Sequence, residues 1–206
     1  MSEAILRGYA ADADELAVRY EALDSAELYA PLAHLVPDGP FSAVDIGAGA
    51  GRDAAWLAGK GYRVLAVEPV EAFRAAGAAL HRGLPVTWLD DTLPALSATL
   101  ARGETFDIVN GVWQHLDDAE RRVAMRSLRA LVAPAGRAIL ALRHGPGAPA
   151  RPCFPIRVDD TIELARTHGL AVVYEEARPS IQPQNRAAGV TWTWLVLAPA
   201  SDAAWS

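Results

Sequence analysis

The sequence predicts an α/β fold in which parallel strands alternate with helices. Residues 41–58 indicate a strand, a turn with three glycines and a helix, and short apolar runs then alternate with helical patterns along the chain. A chain of 206 residues with 51% hydrophobic composition can bury one sizeable core, so we expect a single domain over residues 1–206.

Two amphipathic helices are predicted before the first strand. Apolar residues recur with a helical period over residues 12–23 and 27–36. Because these helices precede the sheet, residues 1–40 either cap a ligand as a lid or pack plainly against the sheet. If they form a lid, Tyr9 and Tyr20 are the candidate contacts.

The rest of the chain provides seven strands with helices between most of them. The expected strands are residues 41–46, 63–68, 85–91, a fourth that together with its exit loop covers 106–118, 137–143, 171–176 and 191–198. The expected helices are residues 53–60 and 70–81, one that Pro94 opens, one after Asp117 or Asp118, and 161–168. Residues 144–157 and 179–189 are expected to form long loops, and residues 199–206 a frayed tail.

The turn after the first strand is predicted to bind a small ligand. Gly47, Gly49 and Gly51 allow positive φ angles and a close approach to the main chain, and the helix that follows presents free N–H groups. A dinucleotide-binding turn has its third glycine one residue later, where this chain has Arg52. Asp45, two residues before the first glycine, would repel a pyrophosphate but suits a cationic group such as an α-ammonium.

Composition excludes several other classes of protein. The net charge of −6 argues against binding dominated by nucleic-acid phosphates. One cysteine, Cys153, excludes an internal disulfide, and the histidines lack metal-ligand spacing, so no metal is expected. No apolar run approaches the length of a membrane span, and the acidic start does not resemble a targeting peptide, so we expect a cytoplasmic protein.

The motif DxGxGxGR resembles the first motif of class I S-adenosylmethionine (SAM)-dependent methyltransferases of the small-molecule type. The segments VEP at 67–69, LDD at 89–91, FDIVNGVWQHL at 106–116 and APAGRAILAL at 133–142 extend the resemblance over most of residues 41–198. The resemblance implies a Rossmann-like, doubly wound, mostly parallel seven-stranded sheet with helices on both faces and the last strand antiparallel. It also implies SAM as cofactor, S-adenosylhomocysteine (SAH) as product and in-line methyl transfer to a small-molecule acceptor.

The resemblance assigns the cofactor-binding residues by position. The first motif would hold the methionine part, Glu68 the ribose hydroxyls, and Asp90 or Asp91 the adenine amine, although one of these two aspartates can instead cap the next helix. The full set implied for the cofactor is Asp45, Gly47, Ala48, Gly49, Gly51, Arg52, Asp53, Glu68, Pro69, Asp90, Asp91, Asn110, Gly111 and Val112.

Catalytic and acceptor-binding candidates follow the fourth and fifth strands. Gln114, His115 and His144 are the candidates for direct catalytic help, since a histidine can take a proton from a hydroxyl or amine. His115 can equally serve only to hydrogen-bond the loop. The candidates for acceptor binding are Tyr9, Tyr20, Trp113, Arg143, Arg151, Arg157 and Arg186. Because arginine suits carboxylate or phosphate, we expect an acceptor with an oxygen or nitrogen nucleophile and an anionic group.

Two other functions remain open at this stage. A non-catalytic SAM-binding regulatory protein would keep the same pocket, and an NAD(P)-dependent oxidoreductase would share the sheet, although Asp45 and the early third glycine count against the latter. The fourth strand ends NGVW, which lacks the motif of base-flipping amino-methyltransferases. The sequence does not decide between a monomer and a homodimer.

Overall fold

A computed structural model describes residues 1–200 of the chain. Ahead of the sheet lie the helices α1, Glu3–Ala11; α2, Ala13–Glu21; α3, Ser25–Tyr29; and a 3₁₀ helix, Ala30–Leu35. Helix α1 was not predicted, although the sequence contains a helix-start signal there. The Ser2 side chain caps the helix, and Glu3 lies in its first turn.

Seven strands form one sheet. They are β1, Phe41–Ile46; β2, Tyr62–Val67; β3, Val86–Leu89; β4, Phe106–Val112; β5, Val132–His144; β6, Leu170–Pro179; and β7, Thr191–Pro199. Their order is β3-β2-β1-β4-β5-β7-β6. Strand β7 is antiparallel to both neighbours and the other pairs are parallel, so the predicted fold class is confirmed.

Within residues 1–200, six helices lie between the strands. They are α4, Arg52–Gly59; α5, Glu71–Leu80; α6, Ser97–Leu100; α7, Asp118–Leu131; α8, Val158–Thr167; and α9, Pro183–Ala187. The Asp117 side chain caps α7 in a capping box with Glu120, as the sequence suggested. Three details of these helices differ from prediction: α6 begins at Ser97 and not at Pro94, α8 begins at Val158 and not at Thr161, and the second long loop contains α9.

The sheet separates two apolar layers. Residues such as Val44, Val109 and Leu140 pack against α7 on one face, while Ala43, Ile108 and Trp194 pack toward α3 and α4 on the other. A third cluster joins α2 to α5 and to the turn after β1. The N-terminal helices are therefore fixed to the same edge of the sheet at which β1 and β2 end.

The division of the chain into a lid (residues 1–40), a core (41–198) and a tail (199–206) stays a prediction. Pro199 is the last residue of β7, and residues 201–206 of the predicted tail lie outside the described residues. No helix within residues 1–200 is long and apolar enough to cross a membrane.

Candidate functional site

A cavity of about 1000 Å³ lies at the edge of the sheet where the parallel strands end. The ends of β1, β2, β4, β5 and β6 and the beginning of β7 border it, and residues of α1, α2 and α3 cover it. Ligand pockets usually measure about 300–1,000 Å³. This cavity is therefore large enough for two small ligands side by side.

The glycine turn borders the cavity through Gly47 and Gly49, both at positive φ. A Cβ on Gly49 would meet no atom within 4 Å, so the main chain there is open to a ligand. Gly51 differs, because its Cβ would lie 2.8 Å from the Trp88 ring and the residue does not line the cavity. The glycine at 51 thus allows the turn to pack on β3, and its expected role in cofactor binding stays a prediction.

Asp45 is a buried carboxylate at the end of β1. Its side chain is 3% exposed, and its Oδ1 atom accepts a hydrogen bond of 2.9 Å from the Asn110 side chain. Its Oδ2 atom is buried with no partner in the described part of the chain. Burial, reinforced by the charge of Asp53, raises the pKa of Asp45 to about 7. This carboxylate lines the cavity and lacks a cationic partner of its own.

Glu68 follows β2 and ties two parts of the site together. Its carboxylate accepts hydrogen bonds from the backbone N–H of Gly49, at 2.9 Å, and of Val70, at 2.8 Å. Burial raises the pKa of Glu68, and these hydrogen bonds oppose the rise. Each carboxylate oxygen has a further lone pair with which to accept a ligand hydroxyl.

Asp53 connects the turn to the N-terminal helices. Its carboxylate accepts from Ser25 Oγ at 2.7 Å and from Tyr29 Oη at 3.1 Å, both on α3. The Arg52 guanidinium donates to the same carboxylate through Nε and Nη2 at 2.7 and 2.8 Å. The charge of Asp53 is therefore matched, unlike that of Asp45.

His115 lies in the cavity wall beside Gln114 and contacts the lid. Its Nδ1 atom is 2.9 Å from the Pro152 carbonyl oxygen, which can only accept, so Nδ1 carries the proton. Its Nε2 atom then accepts from the Tyr9 hydroxyl at 2.7 Å. Burial lowers the pKa of His115, and the charges of Arg143 and Arg151 act in the same direction. The ring is consequently held neutral with its basic nitrogen toward α1.

Arginines dominate the opposite end of the cavity. Arg143, Arg151 and Arg186 line it, as the sequence analysis anticipated. Arg151 forms an ion pair with Asp12 and lies over the Tyr9 ring, whereas no carboxylate within residues 1–200 pairs with Arg143 or Arg186. Tyr20 also lines the cavity. The cavity therefore has an acidic end near β1 and β2 and a basic end near β5 and β6.

Five predicted site residues lie away from the cavity. The indole of Trp113 is fully buried in the core, His144 bonds Thr193 Oγ1, and Arg157 is largely exposed beside Asp160. Asp90 pairs with Arg74, and Asp91 accepts from the backbone and hydroxyl of Thr99 in α6, so the capping alternative applies to Asp91. None of these five residues borders the cavity, and their expected roles in binding or catalysis stay predictions.

The remaining predicted cofactor residues do border the cavity: Ala48, Pro69, Asn110, Gly111 and Val112. The sequence analysis missed Arg178 and Trp192, which border it at the other end. The alternation TWTW carried a signal for Trp192, because period two places it on the same face of β7 as Trp194. No comparable local signal marks Arg178.

This fold and site define a Rossmann-like α/β protein with a buried carboxylate, Asp45, beside an open glycine turn. Residues 43–136 match a family described as "Methyltransferase domain". These residues carry a methyltransferase domain of the class I SAM-dependent type. No curated protein sequence matches the chain.

Solved structures support the fold assignment. A 1,6-didemethyltoxoflavin-N1-methyltransferase from Burkholderia thailandensis is 22% identical, with 96% of this chain and 88% of that chain covered and a TM-score of 0.70. A TehB-like SAM-dependent methyltransferase from Corynebacterium glutamicum is 20% identical, with 92% and 98% covered and a TM-score of 0.64. Magnesium protoporphyrin IX methyltransferase from Synechocystis is 18% identical, with 94% and 80% covered and a TM-score of 0.60. At these identities the similarity establishes the fold.

Proposed function

We propose that the protein transfers the methyl group of SAM to an oxygen or nitrogen of a small-molecule acceptor that carries an anionic group. The observation that carries the proposal is the buried carboxylate of Asp45, which lacks a cationic partner beside an open glycine turn. The Burkholderia relative was solved with 1,6-didemethyltoxoflavin and SAH, and the Synechocystis relative was solved with SAM. These bound molecules support SAM as the methyl donor and a small molecule as the acceptor.

The residues at the acidic end of the cavity fit SAM. An unpaired buried carboxylate is costly, and the ammonium of the methionine part would neutralise Asp45. Gly49 leaves space for that part, and the free lone pairs of Glu68 would accept from the ribose hydroxyls. Because Asp90 and Asp91 lie elsewhere, neither is assigned to the adenine.

When bound, SAM supplies a methyl group that is already activated for transfer, so the protein mainly orients the acceptor and excludes water. We assign to His115 Nε2 the role of accepting the acceptor's proton, directly or through the Tyr9 hydroxyl that now contacts it. Gln114 borders the same region and would orient the acceptor. Arg143, Arg151 and Arg186 would face its anionic group.

Calorimetric titration with SAM, SAH and NADH tests the cofactor assignment. SAM and SAH are expected to bind, and Asp45→Asn and Glu68→Gln each to weaken SAH binding about tenfold or more. Glu163→Gln is the matched control, since Glu163 lies exposed on α8 away from the cavity and should leave binding unchanged. Binding of NADH alone, or equal SAH binding by all variants, would overturn the assignment.

Methyl transfer itself needs a separate assay. Radiolabelled SAM with a panel of small organic acids should give a labelled acceptor and SAH. A protein that binds SAM but labels none of a broad panel would favour the non-catalytic regulatory alternative.

A further inference from the structure

Three side chains form a row across β5, β7 and β6 at the edge that borders the cavity. Arg143 pairs with Trp192 in the β5–β7 ladder, and Trp192 pairs with Arg178 in the β7–β6 ladder. Residues directly opposite in antiparallel strands project from the same face, with Cβ atoms about 4.5–5.5 Å apart. All three line the cavity, so an indole lies there between two guanidinium groups.

The positive charges of this row are poorly neutralised. Arg143 donates through Nη1 to the carbonyl oxygens of Gly145 and Pro146, at 3.2 and 2.6 Å, and within residues 1–200 it has no carboxylate partner. Arg178 lies 3.5 Å from Glu176, and both side chains are about 40% exposed, a setting in which ion pairs contribute little. The row therefore attracts an anion.

The neighbouring row adds apolar groups to the cavity wall, whereas Glu176, which pairs with Trp194 from β6, does not line the cavity. Ala141 pairs with Trp194, both line the cavity, and Trp194 packs against Tyr29 with ring centroids 5.2 Å apart. Trp194 is 5% exposed, so half-buried Trp192 presents the indole that a ligand can reach. An aromatic surface with cations at its rim favours a planar ring over a flexible chain.

We propose that the row Arg143–Trp192–Arg178 is the acceptor subsite and that it selects a planar aromatic or heteroaromatic acceptor with a negatively charged substituent. The proposal rests on the proposed function, since it places the acceptor at the basic end of a cavity whose acidic end holds SAM. The ring stacks on Trp192, and the two guanidinium groups hold the anion. The subsite thus narrows the expected acceptors from small anionic molecules in general to those in which the anionic group is attached to a planar ring.

Binding of three matched probes tests the subsite, measured by calorimetry on the full chain with and without SAH. The probes are 2-naphthoate, its amide 2-naphthamide, and the saturated analogue decahydro-2-naphthoate. We expect 2-naphthoate to bind about tenfold more tightly than either of the others, because only it combines the plane with the charge. Arg143→Gln, Arg178→Gln and Trp192→Leu should each weaken 2-naphthoate binding about tenfold.

Arg166→Gln is the matched control, because Arg166 is exposed on α8 beside Glu163 and does not line the cavity. Urea unfolding checks that each variant is folded, and SAH titration of each variant checks that the acidic end is intact. Equal binding of acid and amide, equal binding of planar and saturated acids, no binding of 2-naphthoate at millimolar concentration, or unchanged binding in all three variants would overturn the subsite.

The SAH titration distinguishes a failure of the subsite proposal from a failure of the proposed function. SAH binding without selectivity for the planar anion would overturn the subsite and leave the proposed function standing. Absence of SAH binding by the folded wild-type protein would overturn the proposed function and, with it, the role of the row as an acceptor subsite.

Discussion

At the scale of single residues, the charge state of Asp45 links binding to stability. Its pKa of about 7 in the folded protein lies above the value of about 3.9 for an unfolded chain. The carboxyl group's contribution to stability is therefore full below about pH 4 and is lost as the pH rises through 7. Near pH 8 the Asp45 carboxylate of the folded protein is a buried negative charge without a cationic partner.

Asp45→Asn should remove the free-energy cost of this buried charge while keeping the hydrogen bond from Asn110. We expect the free energy of unfolding of the variant, relative to wild type, to rise by about 1–3 kcal/mol between pH 5 and pH 8. Urea denaturation at both pH values measures it, with Glu163→Gln as control. A difference that does not change with pH would show that Asp45 is already compensated.

The His115 ring offers a second prediction at this scale. Because the Tyr9 hydroxyl donates to Nε2, it stabilises the neutral ring, and Tyr9→Phe should raise the pKa of His115 toward its ordinary value. Nitrogen-15 NMR of the ring should show the proton on Nδ1 at pH 7 in wild type and report the titration of both proteins. A lower pKa in Tyr9→Phe, or a proton on Nε2 in wild type, would contradict the inferred tautomer.

At the scale of secondary-structure elements, Asp53 of α4 accepts two hydrogen bonds from Ser25 and Tyr29 of α3 and two more from its neighbour Arg52. Asp53→Ala leaves Arg52 buried without its counter-charge, so we expect a loss of about 3 kcal/mol in the free energy of unfolding. Tyr29→Phe removes one hydrogen bond to a charged group and should cost about 1.5 kcal/mol.

Urea denaturation measures both losses against Glu163→Ala, which breaks an exposed pair with Arg166 and should cost no more than about 0.5 kcal/mol. If Asp53→Ala were no more destabilising than this control, the network would not fix α3 in solution.

Most helices and strands of this chain can be predicted from local sequence patterns. The strands and most helices follow from apolar periodicity and caps, because these signals are local in the chain. The helix α1 was missed since nine residues with one buried side chain, Ile5, give little periodicity. Strand β5 begins at Val132, earlier than Pro134 and Gly136 suggested, because pairing of Val132 with Phe106 is a contact between distant segments.

At the scale of the whole molecule, closure of the cavity depends on how the N-terminal helices pack. Leu16 of α2 is 1% exposed in the cluster that includes Phe73 of α5 and Ala50 of the glycine turn. Leu16→Ala should free α1 and α2 locally, speeding their amide hydrogen exchange and weakening SAH binding, while exchange in β4 and β5 stays slow.

Hydrogen exchange measured by mass spectrometry, with and without SAH, tests this expectation. Leu128→Ala is the matched control, because Leu128 packs in the core between α7 and the sheet and its loss should lower the stability of the whole domain. Equal acceleration in the sheet and in α1 and α2 by Leu16→Ala would show that the helices do not open on their own.

The sequence by itself determined the class of fold, the glycine turn and the acids Asp45 and Glu68, because each depends on neighbours in the chain or on the end of a predicted strand. Only the tertiary structure separated Gly49, which faces the cavity, from Gly51, which faces Trp88. It also placed Arg157 away from the cavity, and it brought Arg178 beside Trp192 because strand pairing joins residues far apart in the chain. Local order fixes where a strand ends, whereas the pairing and packing of distant elements decide which side chains meet there.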